Sequence, residues 1–258
     1  MSARFYCPDP PRDGRLRLGR DESRHLTRVC RLGLGDRVEV FDGQGFTAEA
    51  EVVSVAGDSV ELAVAGEPRR ERRPPCSITL ATAVPKGDRF DWLVEKATEL
   101  GVERLVPLVT ERSVVEPRGS KLTRLRRLII EASKQCRRDR LMLLDDPIPW
   151  TQWVASCPES IRLLADLDGS PPGRWPPLER GRPLALSVGP EGGFTPEERA
   201  RAGQAGWQPI SLSVHTLRIE TAGLAGCAAL LALCGGEQNP ESPDGAGSYN
   251  AANPPAFL

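Results

Sequence analysis

Between residues 36 and 64, apolar and polar positions alternate in three short runs, DRVEVFDG, FTAEAEVVSV and DSVELAV, punctuated by Asp-Gly, Gly-Gln-Gly and Gly-Asp. Period-two alternation rich in β-branched residues and broken by turn signals predicts three short strands, and their proximity in the chain predicts a small β-barrel. Upstream, SRHLTRVCRLGLG places Leu26, Val29, Cys30 and Leu32 at helical spacing and stops at Gly33, which predicts a short helix decorating the barrel. From Gly66 to Pro75 the run GEPRRERRPP has no apolar residue and is rich in proline, the composition of a domain boundary.

Beyond that boundary strands alternate with helices, which predicts an α/β domain with a largely parallel sheet covered on both faces. SITLATAV, VERLVPLV, IRLLADL, LALSV and PISLS read as strands. DRFDWLVEKATEL reads as a helix closed by Gly101. Residues 122–138 set Leu122, Leu125, Leu128, Ile129 and Ala132 on one face and Arg124, Arg127, Lys134 and Arg138 on the other, so one face packs and the other is basic. Thr195-Pro196-Glu197-Glu198 is a helix start with a capping box, and Gly206 closes that helix. Residues 219–234 form a helix rich in small residues. The expected division is residues 1–70, residues 75–235 and a Pro, Gly, Asn and Ser-rich tail at 236–258 with the composition of disorder.

The net charge of -1 conceals an uneven distribution of basic residues. Nine Arg or Lys fall in residues 118–140 against Glu131 and Asp139, and residues 1–37 hold nine arginines against five acids. Only four of the 34 basic residues are lysine, and the guanidinium fork is the better bidentate partner for phosphate. Arg28, Arg31, Arg124, Arg127, Arg137 and Arg138 are therefore candidate contacts to a phosphate-bearing partner, with a merely solvated basic face as the alternative. The seven cysteines are scattered and form no Cys-x-x-Cys pair. MSARFYCPDP lacks a basic stretch followed by an apolar one, and no run of 18 apolar residues exists. A reducing cytoplasm and no membrane partner are expected. His25 and His215 are the only histidines, no ligand-spaced cluster accompanies them, and a metal is not expected.

Two stretches carry candidate chemistry. Ser187 to Phe194 (SVGPEGGF) is a glycine-rich loop between a strand and a capped helix, where backbone can approach a ligand closely. It has neither the Walker lysine nor G-x-G-x-x-G spacing, so the common nucleotide fingerprints are absent. Leu212 to Ala222 (LSVHTLRIETA) leads from a strand end into the last helix, the position where ligands of open α/β sheets sit.

Together these stretches resemble the SPOUT methyltransferases, most closely the family that methylates N3 of a uridine in 16S ribosomal RNA. The resemblance spans residues 1–235. It rests on His25-Leu26-Thr27-Arg28-Val29, Phe41-Asp42-Gly43, Glu95 to Val102 (EKATELGV), Glu131 to Cys136 (EASKQC), Gly189-Pro190-Glu191-Gly192-Gly193 and Leu217-Arg218-Ile219-Glu220-Thr221-Ala222, in that order. Two departures stand out: the family usually has Gly-Arg where this chain has Arg137-Arg138, and Gly-Pro-Arg where it has Ser213-Val214-His215.

The resemblance implies a PUA-like N-terminal barrel that helps hold RNA, a deep C-terminal trefoil knot, and a homodimer that completes the site. It also implies S-adenosyl-L-methionine bound bent in the knot by backbone groups of the loops holding Gly189, Pro190, Glu191, Gly192, Gly193, Leu212, Ser213 and Leu217, with Thr221 as a further cofactor-binding residue and a lesser contribution near Ala165 and Asp166. Uracil N3 carries a proton at neutral pH, so a base must remove it or a cation must stabilise the resulting ring charge. Arg218 is the candidate cation, and Glu191 or Glu220 the candidate base. The partner would be 16S ribosomal RNA or the 30S subunit. The alternatives are ribose 2'-hydroxyl methylation of another RNA and a ribosome-assembly factor that binds RNA without methylating it.

Overall fold

The computed structural model of the chain describes residues 2–71, 76–117, 119–179 and 181–235; the expected tail at 236–258 lies outside the described residues. The first unit is a five-stranded sheet ordered β1-β3-β4-β5-β2, from β1 (Arg4–Tyr6), β2 (Arg15–Arg17), β3 (Arg37–Phe41), β4 (Phe46–Ala56) and β5 (Ser59–Arg70). The three alternating runs are β3, β4 and β5, paired antiparallel, while β1 adds to β3 in parallel. The expected closed barrel is not seen among the described residues: β1 and β2 end the ladder without pairing to each other, and at three residues each they are too short to close it. β5 also continues to Arg70, into the segment expected to be linker, because Arg69 and Arg70 pair with Thr47 and Phe46.

Val29 also departs from the position that helical spacing predicts for it. α1 (Arg20–Arg24) passes into a wider π-helical turn over His25–Val29, where the Cys30 amide reaches back five residues to the His25 carbonyl at 3.0 Å. The wider turn rotates Val29 out of the expected apolar face to 67% exposure, while Leu26 remains buried.

The second unit is a parallel sheet ordered β12-β10-β11-β6-β7-β8, with β9 also on β7. Its strands are β6 (Ile78–Ala83), β7 (Arg104–Val109), β8 (Leu143–Leu144), β9 (Ile148–Pro149), β10 (Ile161–Ser170), β11 (Leu184–Val188) and β12 (Gln208–Ile210). Both faces are buried. Ile78, Leu80, Leu184 and Leu186 pack into the core that includes α2 (Arg89–Leu100), α3 (Ser120–Cys136) and α6 (Ile219–Gly235). Ala81, Ala185 and Leu164 meet Trp150 and Trp153 of α4 (Trp150–Ser156), Ala202 of α5 (Pro196–Gln204) and Trp207. The α5 start is the expected capping box: Thr195 Oγ1 accepts from the Glu198 amide at 3.2 Å and Glu198 Oε2 from the Thr195 amide at 2.9 Å.

Helix α6 lies across β6, β11 and α2. Its glycines set that distance. A Cβ on Gly226 would stand 2.4 Å from Leu186 Cδ2, and one on Gly223 3.3 Å from Leu80 Cδ2. A larger residue at either position would push back the leucine it faces, most of all at Gly226.

The two units meet at the C-terminal end of α3. Arg4, buried at 8% exposure, pairs with Glu39 at 2.8 Å and with Asp139, and donates to the Ser133 carbonyl at 3.0 Å. Lys134 pairs with Glu22 across the same junction at 2.8 Å. Burial opposes the Lys134 charge, but Glu131 and Glu22 outweigh it and its pKa is raised. At the helix end Arg137 takes a left-handed φ of 61°, the position where the resembled family usually has glycine. A side chain there costs about 1 kcal/mol, and its ion pair with Glu39 at 3.8 Å is half exposed and offsets little. Arg137→Gly is therefore expected to raise stability by about 0.5–1 kcal/mol. Urea denaturation checks it, and a fall in midpoint would mean that the Glu39 contact dominates.

Candidate active site

At the carboxyl ends of β10 and β11, beside the chain that leaves β12, lies a cavity of about 420 Å³, within the ~300–1,000 Å³ range typical of small-molecule sites. Strand order reverses here, since β11 inserts between β10 and β6 and the chain then passes over β10 to β12. Parallel sheets bind ligands at such reversals because neighbouring loops diverge and leave a crevice.

Three segments form the walls. The first is Val188 to Phe194. Its turn is closed by the Gly193 amide on the Pro190 carbonyl at 2.8 Å, and Gly193 has a φ of 68°. Phe194 is buried against Trp150 with ring centroids 4.4 Å apart, and a Cβ on Gly189 would come within 3.0 Å of the Phe194 ring. Glycine here keeps backbone, not side chain, at the cavity wall. The second segment is Ala165 to Asp168 of β10. The third is Leu212 to Leu217, held by the Ser211 amide on the Ser170 carbonyl at 2.8 Å. Where a strand was expected through Ser213, pairing stops at Ile210 because the chain turns off the sheet to make this wall.

Gly189, Pro190, Glu191, Gly192, Gly193, Leu212, Ser213 and Leu217 all line the cavity. Thr221 does not; it lies exposed on the first turns of α6. Glu191 lines the cavity with its side chain 47% exposed. Glu220 stands outside it, buried, and Arg218 is exposed with no carboxylate in ion-pair reach among the described residues. In the loop that departs from the family pattern, Ser213 Oγ accepts from the His215 amide at 3.0 Å, so a side chain supplies the turn.

Three arginines at the site carried no assignment from the sequence. Arg112, just past β7, donates to the Gly192 carbonyl at 2.6 Å, and its stem would be 3.2 Å from a Cβ on Gly192. Arg199 of α5 lies 3.4 Å from Asp166 and 3.6 Å from Asp168. Arg89 at the start of α2 lies 3.5 Å from Glu191 and 3.6 Å from Glu220. Position at the carboxyl end of a strand could have flagged Arg112. No local signal marks Arg89, since its partners are about 100 residues or more away in the chain.

The candidate RNA contacts divide. Arg28 is exposed beside Arg20 and Arg24, all three paired with Asp58, and the Arg24 hydrogen bond holds the Asp58 carboxyl below its ordinary range. Arg31 is exposed with a φ of 55°. Arg127 is 72% exposed, with Asp21 at 3.8 Å, and Arg124 pairs with Asp91 at 2.5 Å. Arg138 points inward and donates to the Thr98 and Val102 carbonyls at 3.1 and 2.7 Å, capping the end of α2. Its guanidinium, with its pKa lowered by burial, is committed to that cap and not presented to solvent. Lys134 is likewise removed from the expected basic face.

Burial pushes the Cys157 and Cys227 thiols up to about 12, so both stay protonated at neutral pH and neither is a nucleophile. No group of three or more His, Cys, Asp or Glu is placed to hold a metal among the described residues. None of their helices is long and apolar enough to cross a membrane.

An RNA methyltransferase domain matches residues 72–231, and an RNA methyltransferase PUA domain matches residues 18–65. Ribosomal RNA small subunit methyltransferase E of Synechocystis is 34% identical over 214 residues, covering 81% of this chain and 70% of that protein. Its Bacillus subtilis namesake is 28% identical over 222 residues, covering 81% and 87%. The crystal structure of a ribosomal RNA small subunit methyltransferase E from Neisseria gonorrhoeae bound to S-adenosyl methionine aligns with a TM-score of 0.81 at 30% identity, covering 90% of this chain and 98% of that one. The chain thus belongs to the RNA methyltransferase family that includes the ribosomal RNA small subunit methyltransferases E.

Proposed function

We propose that this protein methylates N3 of a uridine in the 16S ribosomal RNA of the 30S subunit, in the cytoplasm, with S-adenosylmethionine as donor. The observation that carries the reading is the joining of the Gly189 to Gly193 loop and the Leu212 to Leu217 segment into one cavity, in a chain 30% identical to a protein bound to that donor. The residues fit the donor. Backbone groups of the glycine loop and of Leu212 to Leu217 would hold its adenosine, and Asp166 and Asp168 are anionic neighbours for its cationic parts. When bound, S-adenosylmethionine supplies an electrophilic methyl carbon, which bonds to N3 as its bond to sulfur breaks and that electron pair stays on sulfur.

The protein's own task is to make N3 nucleophilic. Glu191 is the better placed carboxylate, because it lines the cavity whereas Glu220 is buried behind it. It accepts the N3 proton, and the N–H electron pair remains on the ring. Arg218, exposed beside the third wall, stabilises the charge that spreads onto the uracil oxygens. Residues 1–70 form the PUA-like module, which with Arg28, Arg31, Arg124 and Arg127 holds RNA phosphates. Residues 75–235 form the methyltransferase domain. In it, the chain leaving β12 passes through the preceding loops to reach α6, tying the trefoil knot. Methylation of 30S particles and of naked 16S RNA, followed by nucleoside analysis, tests the reading; a ribose-methylated product would overturn it.

The active species is a homodimer. With Gly223 and Gly226 turned to the sheet, α6 presents Ala225, Ala228, Ala232 and Leu233 outward, the last 56% exposed. Small residues let a second helix approach closely. Sedimentation at micromolar concentration is expected to give the dimer mass for the parent protein and the monomer mass for Ala228→Arg, with methyl transfer lost in the variant. A monomeric parent would contradict the assignment.

A further inference from the structure

We propose that Arg89 is a positioning residue which, braced by Glu220, holds Glu191 at the cavity; the inference rests on the methyl-transfer reading given above. Arg89 opens α2, and its Nε donates to the Lys86 carbonyl at 3.2 Å, which fixes the root of the guanidinium. From there Nη2 lies 3.5 Å from Glu191 Oε1 and Nη1 3.6 Å from Glu220 Oε1. One guanidinium thus links the glycine loop after β11 to the first turn of α6, which directly follows the Leu212 to Leu217 wall.

The two carboxylates are not equivalent. Glu191 is 47% exposed and lines the cavity, whereas the Glu220 side chain is 7% exposed and its Oε2 is buried with no hydrogen-bond partner. Among the described residues Arg89 is the only cation in ion-pair reach of Glu220. A buried carboxylate without such a partner is strongly destabilised, so Glu220 and Arg89 hold each other in place. The planar fork then has one arm left, and that arm is aimed at Glu191. Both separations exceed a good hydrogen bond but lie within ion-pair reach. Glu220 therefore acts through Arg89 and does not touch the uracil, and Arg89 sets where the proton-accepting carboxylate of Glu191 stands.

The test compares Arg89→Met, Arg89→Lys, Glu220→Gln and the double variant Arg89→Met with Glu220→Gln. Methyl transfer to 30S particles gives kcat and KM, calorimetry gives S-adenosylmethionine affinity, and melting reports folding. Arg89→Met is expected to lower kcat about 100-fold, the scale of a misplaced catalytic group, with donor affinity within about threefold of the parent. Arg89→Lys, a point charge that reaches one carboxylate but not both, regains part of the loss. Glu220→Gln, nearly isosteric and the variant least prone to misfold, lowers kcat in the same way, and the double variant is no worse than Arg89→Met alone. Three results would each overturn the proposal: kcat retained in Arg89→Met, a loss confined to donor affinity, or single losses that multiply in the double variant. A parent protein that makes no N3-methyluridine overturns the functional reading and this inference with it. A parent that makes it, matched by Arg89→Met, overturns this inference alone.

Discussion

Gly169→Ala is expected to destabilise the protein by about 3 kcal/mol and to weaken S-adenosylmethionine binding at least about tenfold, because the methyl group has nowhere to go. A Cβ on Gly169 would lie 2.5 Å from both the carbonyl carbon and the amide nitrogen of Ile210 and 2.6 Å from its Cα. These are backbone atoms, so no rotamer change relieves the clash, and β10 and β12 must separate. Ile210 is fully buried and is the last residue of β12; beyond it the Ser211 amide bonds the Ser170 carbonyl, and Leu212 enters the cavity wall. Displacing Ile210 thus moves one wall of the cavity proposed to take the donor along with the core. At this chain length the loss corresponds to a fall in Tm of about 6–12 °C. Gly173→Ala, where a Cβ would meet nothing within 4 Å, serves as the control and should leave both quantities unchanged. Thermal melting with calorimetry decides the matter, and a Gly169→Ala protein with parental Tm and affinity would show that the close crossing is not the constraint described.

The second large effect belongs to Glu191→Gln. Loss of a general base lowers kcat by about 10²- to 10⁴-fold, and the amide keeps the shape of the side chain while removing its capacity to take a proton. Donor binding should stay within about threefold of the parent, since the glycine loop offers its backbone, which the substitution does not alter. Single-turnover methylation of 30S particles at saturating donor separates these terms. Retention of more than about a tenth of parental kcat would move the base elsewhere, and the same assay on Arg218→Ala would then show whether charge stabilisation alone drives the chemistry.

The contrast between these two positions marks how much was legible in the chain. Glu191 entered as one of two candidate bases through the family resemblance, which a Gly-Pro-Glu-Gly-Gly loop between a strand and a capped helix helps to carry. Gly169 carried none; it lies just past the expected strand IRLLADL, and only the folded chain, in which β10 runs on to Ser170, brings Ile210 against it. Likewise the periodicity of α3 correctly gave Leu122, Leu125 and Ile129 as its buried face. It could not show that the end of the opposite face docks on the N-terminal sheet. That docking takes Lys134 to Glu22, while Arg138 turns to the end of α2 and leaves the group of candidate RNA contacts.

Alternation, helical spacing, the Thr195 capping box and left-handed glycines such as Gly101 act over a few residues, so the identity of most strands and helices and the glycine loop are written locally. The open edges of the first sheet, the widened turn that exposes Val29, the order of the parallel strands and the meeting of Arg89 with Glu191 and Glu220 depend on contacts between residues far apart in the chain. Side-chain period specifies which face of an element is apolar but not which neighbour covers it. The cavity exists because the strand order reverses at β11 and the chain turns off the sheet after Ile210, and both are properties of packing that no local pattern encodes.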